Sequence, residues 1–270
     1  MKKYIVIGNP IKHSLSPDLH NYWLKENNID ATYNKTKLES KEIKNFIDDI
    51  RKKKIAGCNV TVPFKKEVIP YLDELSLDAK STQSVNTIYL ERNKIIGHNT
   101  DIDGFELAIK STKFDVNGKK IFILGAGGVV SSIIFALNKM KASQIIISNR
   151  TKEKTEYLKN LFNDLKVVDW GEFPYFDMII NATSLGLNPD DEINLDFSKI
   201  NNGKFFYDVI YNPEETNFLK KAKTMGNITE NGKKMFIYQA AAAFNIWHNI
   251  YPKIDDKVIK LLDKWKELEY

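Results

Sequence analysis

Asn149, Arg150 and Thr151 follow the apolar run Ile145-Ile146-Ile147-Ser148, and a glycine-rich turn, Gly125-Ala126-Gly127-Gly128, lies upstream of them. Together these features describe chemistry done on a dinucleotide. Bare backbone in such a turn lets a pyrophosphate come close, and the helix N-terminus that follows offers unpaired N–H donors and partial positive charge. The end of the next strand reports which dinucleotide is held. An NAD site places a carboxylate there to accept hydrogen bonds from the ribose hydroxyls. Here a cation stands between two neutral polar side chains, a set suited to a 2′-phosphate, so the expected cofactor is NADP.

Three elements must position these groups: a buried strand over Lys119–Leu124, a helix from the glycine turn to about Met140, and a second strand over Ile145–Ser148. The alternation continues with apolar runs at Asp177–Ala182 and Phe205–Ile210. Near-continuous apolar strands separated by helices imply a parallel sheet covered on both faces. The first hundred residues alternate as well. Strands are expected at Tyr4–Gly8, Ala31–Leu38 and Ala56–Val62, and a hairpin over Val85–Leu90 and Lys94–His98. Ser16-Pro17-Asp18 reads as a cap, an N1 proline and a first-turn acid, and Ser40 as the cap of a helix through Ile50. Pro63-Phe64-Lys65 opens a further helix, and another covers Ile102 to about Lys110. A long helix follows Gly232 through Trp247, and an amphipathic one spans about 253–269. The fold class is therefore α/β, with two α/β domains: an N-terminal domain and a doubly wound, Rossmann-type one over 102–236. The helices after Gly232 are expected to return to the first domain, giving it residues 1–101 plus 237–270.

Composition fits this reading. The chain has 270 residues, 43% hydrophobic and 28% charged, with a net charge of +5 spread along it. Basic runs such as Arg51-Lys52-Lys53-Lys54 read as solvated helix ends rather than nucleic-acid contacts. Cys58 is the only cysteine, read as a small buried hydrophobe, and its solitude points to a reducing compartment. The apolar stretch Tyr4–Ile7 is too short for a signal peptide, and no run could span a bilayer, so cytoplasmic residence is expected. His13, His20, His98 and His248 have no metal-ligand spacing, and no metal is expected.

Six polar clusters fall at strand ends or turns, where α/β proteins bind ligands: 8–17, 59–65, 85–87, 99–104, 181–186 and 208–213. In this ordered set, which ends in Gly232-Lys233-Lys234-Met235-Phe236-Ile237-Tyr238-Gln239, the chain resembles the shikimate dehydrogenase family over nearly its whole length. The resemblance implies NADPH-dependent reduction of 3-dehydroshikimate to shikimate, on the way to chorismate and the aromatic amino acids. It makes the first domain the substrate and catalytic one and puts the family's catalytic lysine and aspartate on Lys65 and Asp101. Hydride transfer to a ketone builds charge on oxygen, which an ammonium can stabilise or protonate. A paired carboxylate holds that ammonium charged and oriented; which of the two is the proton donor stays open. Taken alone, Lys65 reads as a solvated first-turn lysine and Asp101 equally as a helix N-cap.

The resemblance further implies that Ser14, Ser16, Asn59, Thr61, Asn86, Tyr211 and Gln239 bind the substrate, the two serines its carboxylate. Ser16 has a rival role as N-cap, and Tyr211 an equal reading as core packing. Arg150 should lie against the adenine and pair with the 2′-phosphate; Thr183, Ser184, Ile210, Gly232 and Met235 complete the cofactor side. Two residues depart from the pattern. Val129 and Val130 replace the small residues usual after the glycines, which implies looser helix–strand packing, and Ser84 replaces a smaller residue. The alternatives are a quinate/shikimate dehydrogenase paralogue with relaxed cofactor use, a non-catalytic NADP-binding sensor, and a methyltransferase, which Asn149 argues against. The partner is a small molecule, with neither nucleic acid nor membrane, and the assembly a monomer or homodimer.

Overall fold

In the computed structural model, which describes residues 1–193, 196 and 200–267, each apolar run expected as a strand is hydrogen-bonded into one of two six-stranded sheets. The sheets fall in separate units, Met1–Asp101 with Ile237–Tyr270, and Ile102–Phe236.

The first unit begins with β1 (Lys2–Gly8), α1 (Ser16–Glu26), β2 (Ala31–Lys37), α2 (Ile43–Arg51) and β3 (Gly57–Val60). It continues through β4 (Glu74–Leu75), α3 (Leu77–Thr82), β5 (Thr87–Glu91) and β6 (Lys94–His98). The strand order is β2-β1-β3-β5-β6-β4. β1 runs parallel to β2 and β3, while β5 is antiparallel to both β3 and β6, so the sheet is mixed. The hairpin turn is Arg92-Asn93, both left-handed at φ 48° and 63°, the backbone that a two-residue hairpin requires. Ile7, Phe46, Ile47, Ile50, Val60, Phe64 and Ile88 pack into one core. Tyr4, His20, Trp23, Tyr33, Phe244 and Trp247 form an aromatic cluster. Gly57 admits it: a Cβ there would stand 2.5 Å from the Trp247 indole, whose Nε1 donates to the Ile88 carbonyl at 3.2 Å.

Three expectations for this unit are corrected. Ser40 is not a helix cap; Glu39 and Glu42 form a capping box around a short 3-10 turn over Ser40–Glu42, and α2 starts after it. Ser16 is not a cap either, since α1 begins at Ser16 itself, after Leu15, with no side-chain cap bond. Residues 63–68 form turns rather than a helix. The Lys65 carbonyl, which a helix would offer to residue 69, instead accepts from Val85 N at 2.8 Å.

The chain leaves this stretch through α4 (Asp101–Ser111). The second unit then carries β7 (Lys120–Leu124), α5 (Val130–Lys139), β8 (Gln144–Ser148), α6 (Lys152–Leu161), β9 (Lys166–Val167) and β10 (Met178–Asn181). β11 (Phe205–Asp208), α7 (Asn217–Thr224) and β12 (Ile228–Glu230) complete it. All strands are parallel, in the order β12-β11-β10-β7-β8-β9. Successive strands step one way from β7 and then the other way from β10, so a switch point lies between these two strands. Open α/β sheets bind ligands beside that crevice, and the glycine turn follows β7. Val130 is fully buried at the start of α5, so the helix packs with valine in place of a small residue. α8 (Lys233–His248) and α9 (Asp256–Glu267) close the chain.

Candidate active site

In the first unit, strand ends and turns bring the predicted polar residues into one bonded network. The Lys65 ammonium lies 2.5 Å from Asp101 Oδ2, both side chains largely buried, at 12% and 7% exposure. Asp101 Oδ1 accepts from Asn86 Nδ2 at 3.0 Å. That amide also donates to Thr100 Oγ1 at 2.9 Å and approaches Gln239 Oε1 at 3.4 Å. Asn86 Oδ1 accepts from Thr100 N at 2.8 Å. Asn59 joins through Nδ2, which donates to the Asn86 carbonyl and to Thr87 Oγ1. A buried ion pair held on its remaining lone pairs in this way keeps a fixed geometry.

The same geometry sorts the alternatives left open for single residues. Asp101 is the first residue of α4, yet both carboxylate oxygens point into the network, and Asn99 Oδ1 receives the Asp101 N–H. Ser14 Oγ accepts from Ser16 N at 3.3 Å, so the local backbone bond belongs to Ser14. Ser16 is buried and hydrogen-bonds Tyr33. Tyr33 in turn donates to Asn59 Oδ1 at 2.6 Å. Burial pushes the Tyr33 phenol well above its ordinary value, with the Cys58 thiol adding to the rise and the Ser16 bond opposing it. Thr61 is held by its N–H on the Ile7 carbonyl, and its Cγ2 occupies space that any Cβ at Gly8 would need, at 2.5 Å. Tyr33, Thr87 and Thr100 are parts of the network that sequence reading missed. Thr87 and Thr100 lie inside the polar clusters 85–87 and 99–104, but nothing marks Tyr33 as more than a strand residue.

In the second unit most of the predicted cofactor residues line a cleft of about 250 Å³, whereas Ile210, Gly232 and Met235 lie outside its lining. Gly125, Ala126 and Gly127 form its floor, with Asn149, Arg150 and Thr151 on one side and Thr183 and Ser184 on another. Gly128, exposed beside them, belongs to the same turn. Gly125 has φ +107°, and a Cβ there would lie 2.6 Å from the Ala182 carbonyl. At Gly127 the nearest such atom is 3.9 Å away. This is a close turn with bare backbone open toward the cleft, as a pyrophosphate requires. Lys154 and Trp170, neither singled out in the sequence, line the cleft too.

A second cluster organises the ends of β10 and β11. Asn181 Oδ1 accepts from Thr183 N and Thr183 Oγ1 at 3.1 and 2.7 Å, and its amide donates to Asp208 Oδ1 at 3.0 Å. Asp208 also accepts from Ile210 N at 3.0 Å and Thr216 Oγ1 at 2.7 Å. Burial pushes the Asp208 carboxyl up to about 6, against the lowering effect of those donors. Gly232 donates to the Ile210 carbonyl, and a Cβ on it would stand 2.1 Å from the Val209 carbonyl. Met235 is buried. Tyr211 stacks on Phe236 at 4.7 Å and is half-buried. Among the described residues no group of three or more His, Cys, Asp or Glu could hold a metal ion, and no helix is long and apolar enough to cross a membrane.

A model of the shikimate dehydrogenase substrate-binding domain matches residues 6–88, and one of shikimate/quinate 5-dehydrogenase matches residues 106–186. A shikimate dehydrogenase (NADP+) of Pelagibacter ubique is 60% identical over 97% of this chain and 99% of its own length. The chain belongs to the shikimate dehydrogenase family. It is thus an oxidoreductase by family. Among solved members, a shikimate dehydrogenase in complex with NADP+ is 37% identical, with TM-score 0.91 over 98% of this chain and 96% of that one. The Listeria monocytogenes shikimate 5-dehydrogenase, in complex with shikimate and NAD, is 29% identical, with TM-score 0.90 over 97% and 96%.

Proposed function

We propose that this protein reduces 3-dehydroshikimate to shikimate with NADPH, reversibly, and that it does so in the cytoplasm as a monomer or homodimer. The observation that carries the reading is the Lys65–Asp101 pair, fixed at 2.5 Å and tied through Asn86 to Gln239. The unit of Met1–Asp101 with Ile237–Tyr270 is the substrate and catalytic domain, and Ile102–Phe236 the cofactor domain. The lone thiol, Cys58, is buried, which agrees with a reducing compartment.

NADPH, when bound, supplies the hydride. Gly125–Gly128 suit its pyrophosphate, and Asn149, Arg150 and Thr151 its 2′-phosphate. Thr183, Ser184, Ile210, Gly232 and Met235 serve the nicotinamide end. Charge that develops on the carbonyl oxygen is met by the Lys65 ammonium, which Asp101 keeps oriented. In the oxidative direction the same pair receives the hydroxyl proton, and the two act as one unit. Ser14 and Ser16 hold the substrate carboxylate through hydroxyls, while Thr61, Asn86, Gln239 and Tyr211 serve the ring oxygens. Both hydrogens of the Asn59 amide are engaged and Tyr33 already donates to its Oδ1, so Asn59 meets substrate as an acceptor through the second lone pair of that oxygen.

Purified protein mixed with shikimate and NADP+ should raise absorbance at the nicotinamide band. No rise at any pH overturns the reading. A kcat/KM for NAD equal to that for NADP+ removes the cofactor assignment, and turnover of quinate at a comparable rate removes the substrate assignment.

A further inference from the structure

The cleft of the second unit is lined by glycine, alanine, small polar residues, cations and Leu185, and among the described residues Trp170 is its one aromatic side chain. Its indole is 37% exposed, so a large flat apolar surface faces water beside Arg150. A half-exposed aromatic of this kind at a binding cleft is a stacking surface in search of a planar partner.

The turn that presents Trp170 is well anchored. Val168 N donates to the Ile147 carbonyl at 3.0 Å, continuing the register beyond β9. Ser148 Oγ donates to the Asp169 carbonyl at 3.0 Å, and the Lys152 ammonium pairs with Asp169 Oδ1 at 2.8 Å. Glu172 N closes the turn on the Asp169 carbonyl at 3.1 Å, and Gly171 completes it at φ +97°. Ser148 ends β8, the strand that delivers Asn149, Arg150 and Thr151, and Lys152 opens the helix after them. The indole and the cation are therefore positioned by one strand end. In a dinucleotide whose pyrophosphate sits on the glycine turn and whose 2′-phosphate pairs with Arg150, the planar group at this end is the adenine, and Arg150 can cover only one of its two faces.

We propose that Trp170 is the stacking wall of the adenine subsite, a specificity residue for the base rather than for the phosphate; this rests on the dinucleotide reading of the cleft. The adenine is common to both nicotinamide cofactors, so Trp170 acts equally on NADP and NAD, whereas Arg150 acts on NADP alone.

Calorimetric titration with adenosine 2′,5′-bisphosphate tests it without turnover. Trp170→Ala should weaken binding about tenfold, the usual scale for losing one base–aromatic stack. Binding of the nucleotide should quench tryptophan emission in the native protein, and Trp170→Phe should restore most of the affinity while abolishing that quenching. In steady state, Trp170→Ala should raise KM for NADP+ and NAD by the same factor. Unchanged affinity in Trp170→Ala, persistent quenching in Trp170→Phe, or a KM effect confined to NADP+ overturns the assignment. If the native protein does not bind the bisphosphate at all, the dinucleotide reading falls, and the assignment falls with it.

Discussion

The two units carry buried ionisable groups of opposite kind. In the first, His20 is fully enclosed, its ring stacked on Tyr33 at 4.1 Å, and its Nε2 has no hydrogen-bond partner among the described residues. Burial, with the nearby His248 adding to it, lowers His20 to about 3, and burial lowers His248 to about 4. In the second, burial raises Asp208 to about 6, although three donors surround it. The cause is the same in both, since a low-dielectric interior disfavours whichever form is charged. The consequence for stability has opposite sign. A histidine held neutral binds fewer protons folded than unfolded, so stability is lost as pH falls below 6.5. A carboxyl held protonated binds more protons folded than unfolded, so stability is lost as pH rises through about 4 to 6. The units also differ in how their sites are built. The first joins side chains from distant segments around an ion pair, and the second offers backbone, small residues and one strand end.

The largest expected effect tests that difference in construction. Lys65→Ala should lower kcat by about 10²- to 10⁴-fold, the range for losing a positioned proton donor, and change KM far less. Steady-state kinetics with shikimate and NADP+ measure it. A rise in KM with kcat preserved would make Lys65 a binding residue and erase the functional contrast between the units.

Much of this arrangement is readable from residue order alone, for a physical reason. Short isoleucine-rich runs such as Ile121–Leu124 and Ile145–Ser148, bounded by turn residues, favour buried strands, and Gly125 stands where any Cβ meets the Ala182 carbonyl. What escapes is decided by bonds between distant segments. Lys65 leaves the helix expected after Pro63 because Val85 N takes its carbonyl. Asn86 meets Gln239 from 153 residues away. Tyr33 looks like an ordinary strand residue until its hydroxyl is found on Asn59. Trp170 sits between Asp169 and Gly171 in a segment without periodicity, where only the completed cleft gives it a role.

The pH contrast is sharpened by removing each buried group in turn. His20→Phe keeps a ring against Tyr33 and deletes the titration. Native protein should lose about 3 kcal/mol through His20 alone between pH 6.5 and pH 4, and the variant should escape that loss. Denaturant melts at several pH values, with hydrogen exchange in α1 and β2 to assign the unit, are the measurement. An acid limb that is unchanged in the variant would show that His20 does not govern it.

Asp208→Asn is the counterpart in the second unit. The amide oxygen can still accept from Asn181 and Ile210, so the loops after β10 and β11 keep two of their three ties. The native protein should lose about 2 kcal/mol through this group as pH rises from 4 to 6, and the variant should not. Hydrogen exchange at β10 and β11 reads it. Equal slopes in native and variant would mean that the three donors fully offset the burial, and the opposition between the units would reduce to the histidines.

The smallest effect concerns Arg150, because an exposed cation gains little from a phosphate that water also solvates. Arg150→Ala should raise KM for NADP+ by roughly tenfold, about 1–2 kcal/mol for a charge-assisted contact, and leave kcat nearly intact. KM for NAD should barely move, since the ribose 2′-hydroxyl carries no charge for the guanidinium to meet. Set beside Lys65→Ala, this divides the kinetic constants between the units, with kcat answering to the ion pair and KM to the strand end. Lys154 lines the same cleft, so a residual preference for NADP+ in Arg150→Ala is expected, and Arg150→Ala combined with Lys154→Ala should abolish it. A double variant that still preferred NADP+ would place the phosphate discrimination outside this strand end.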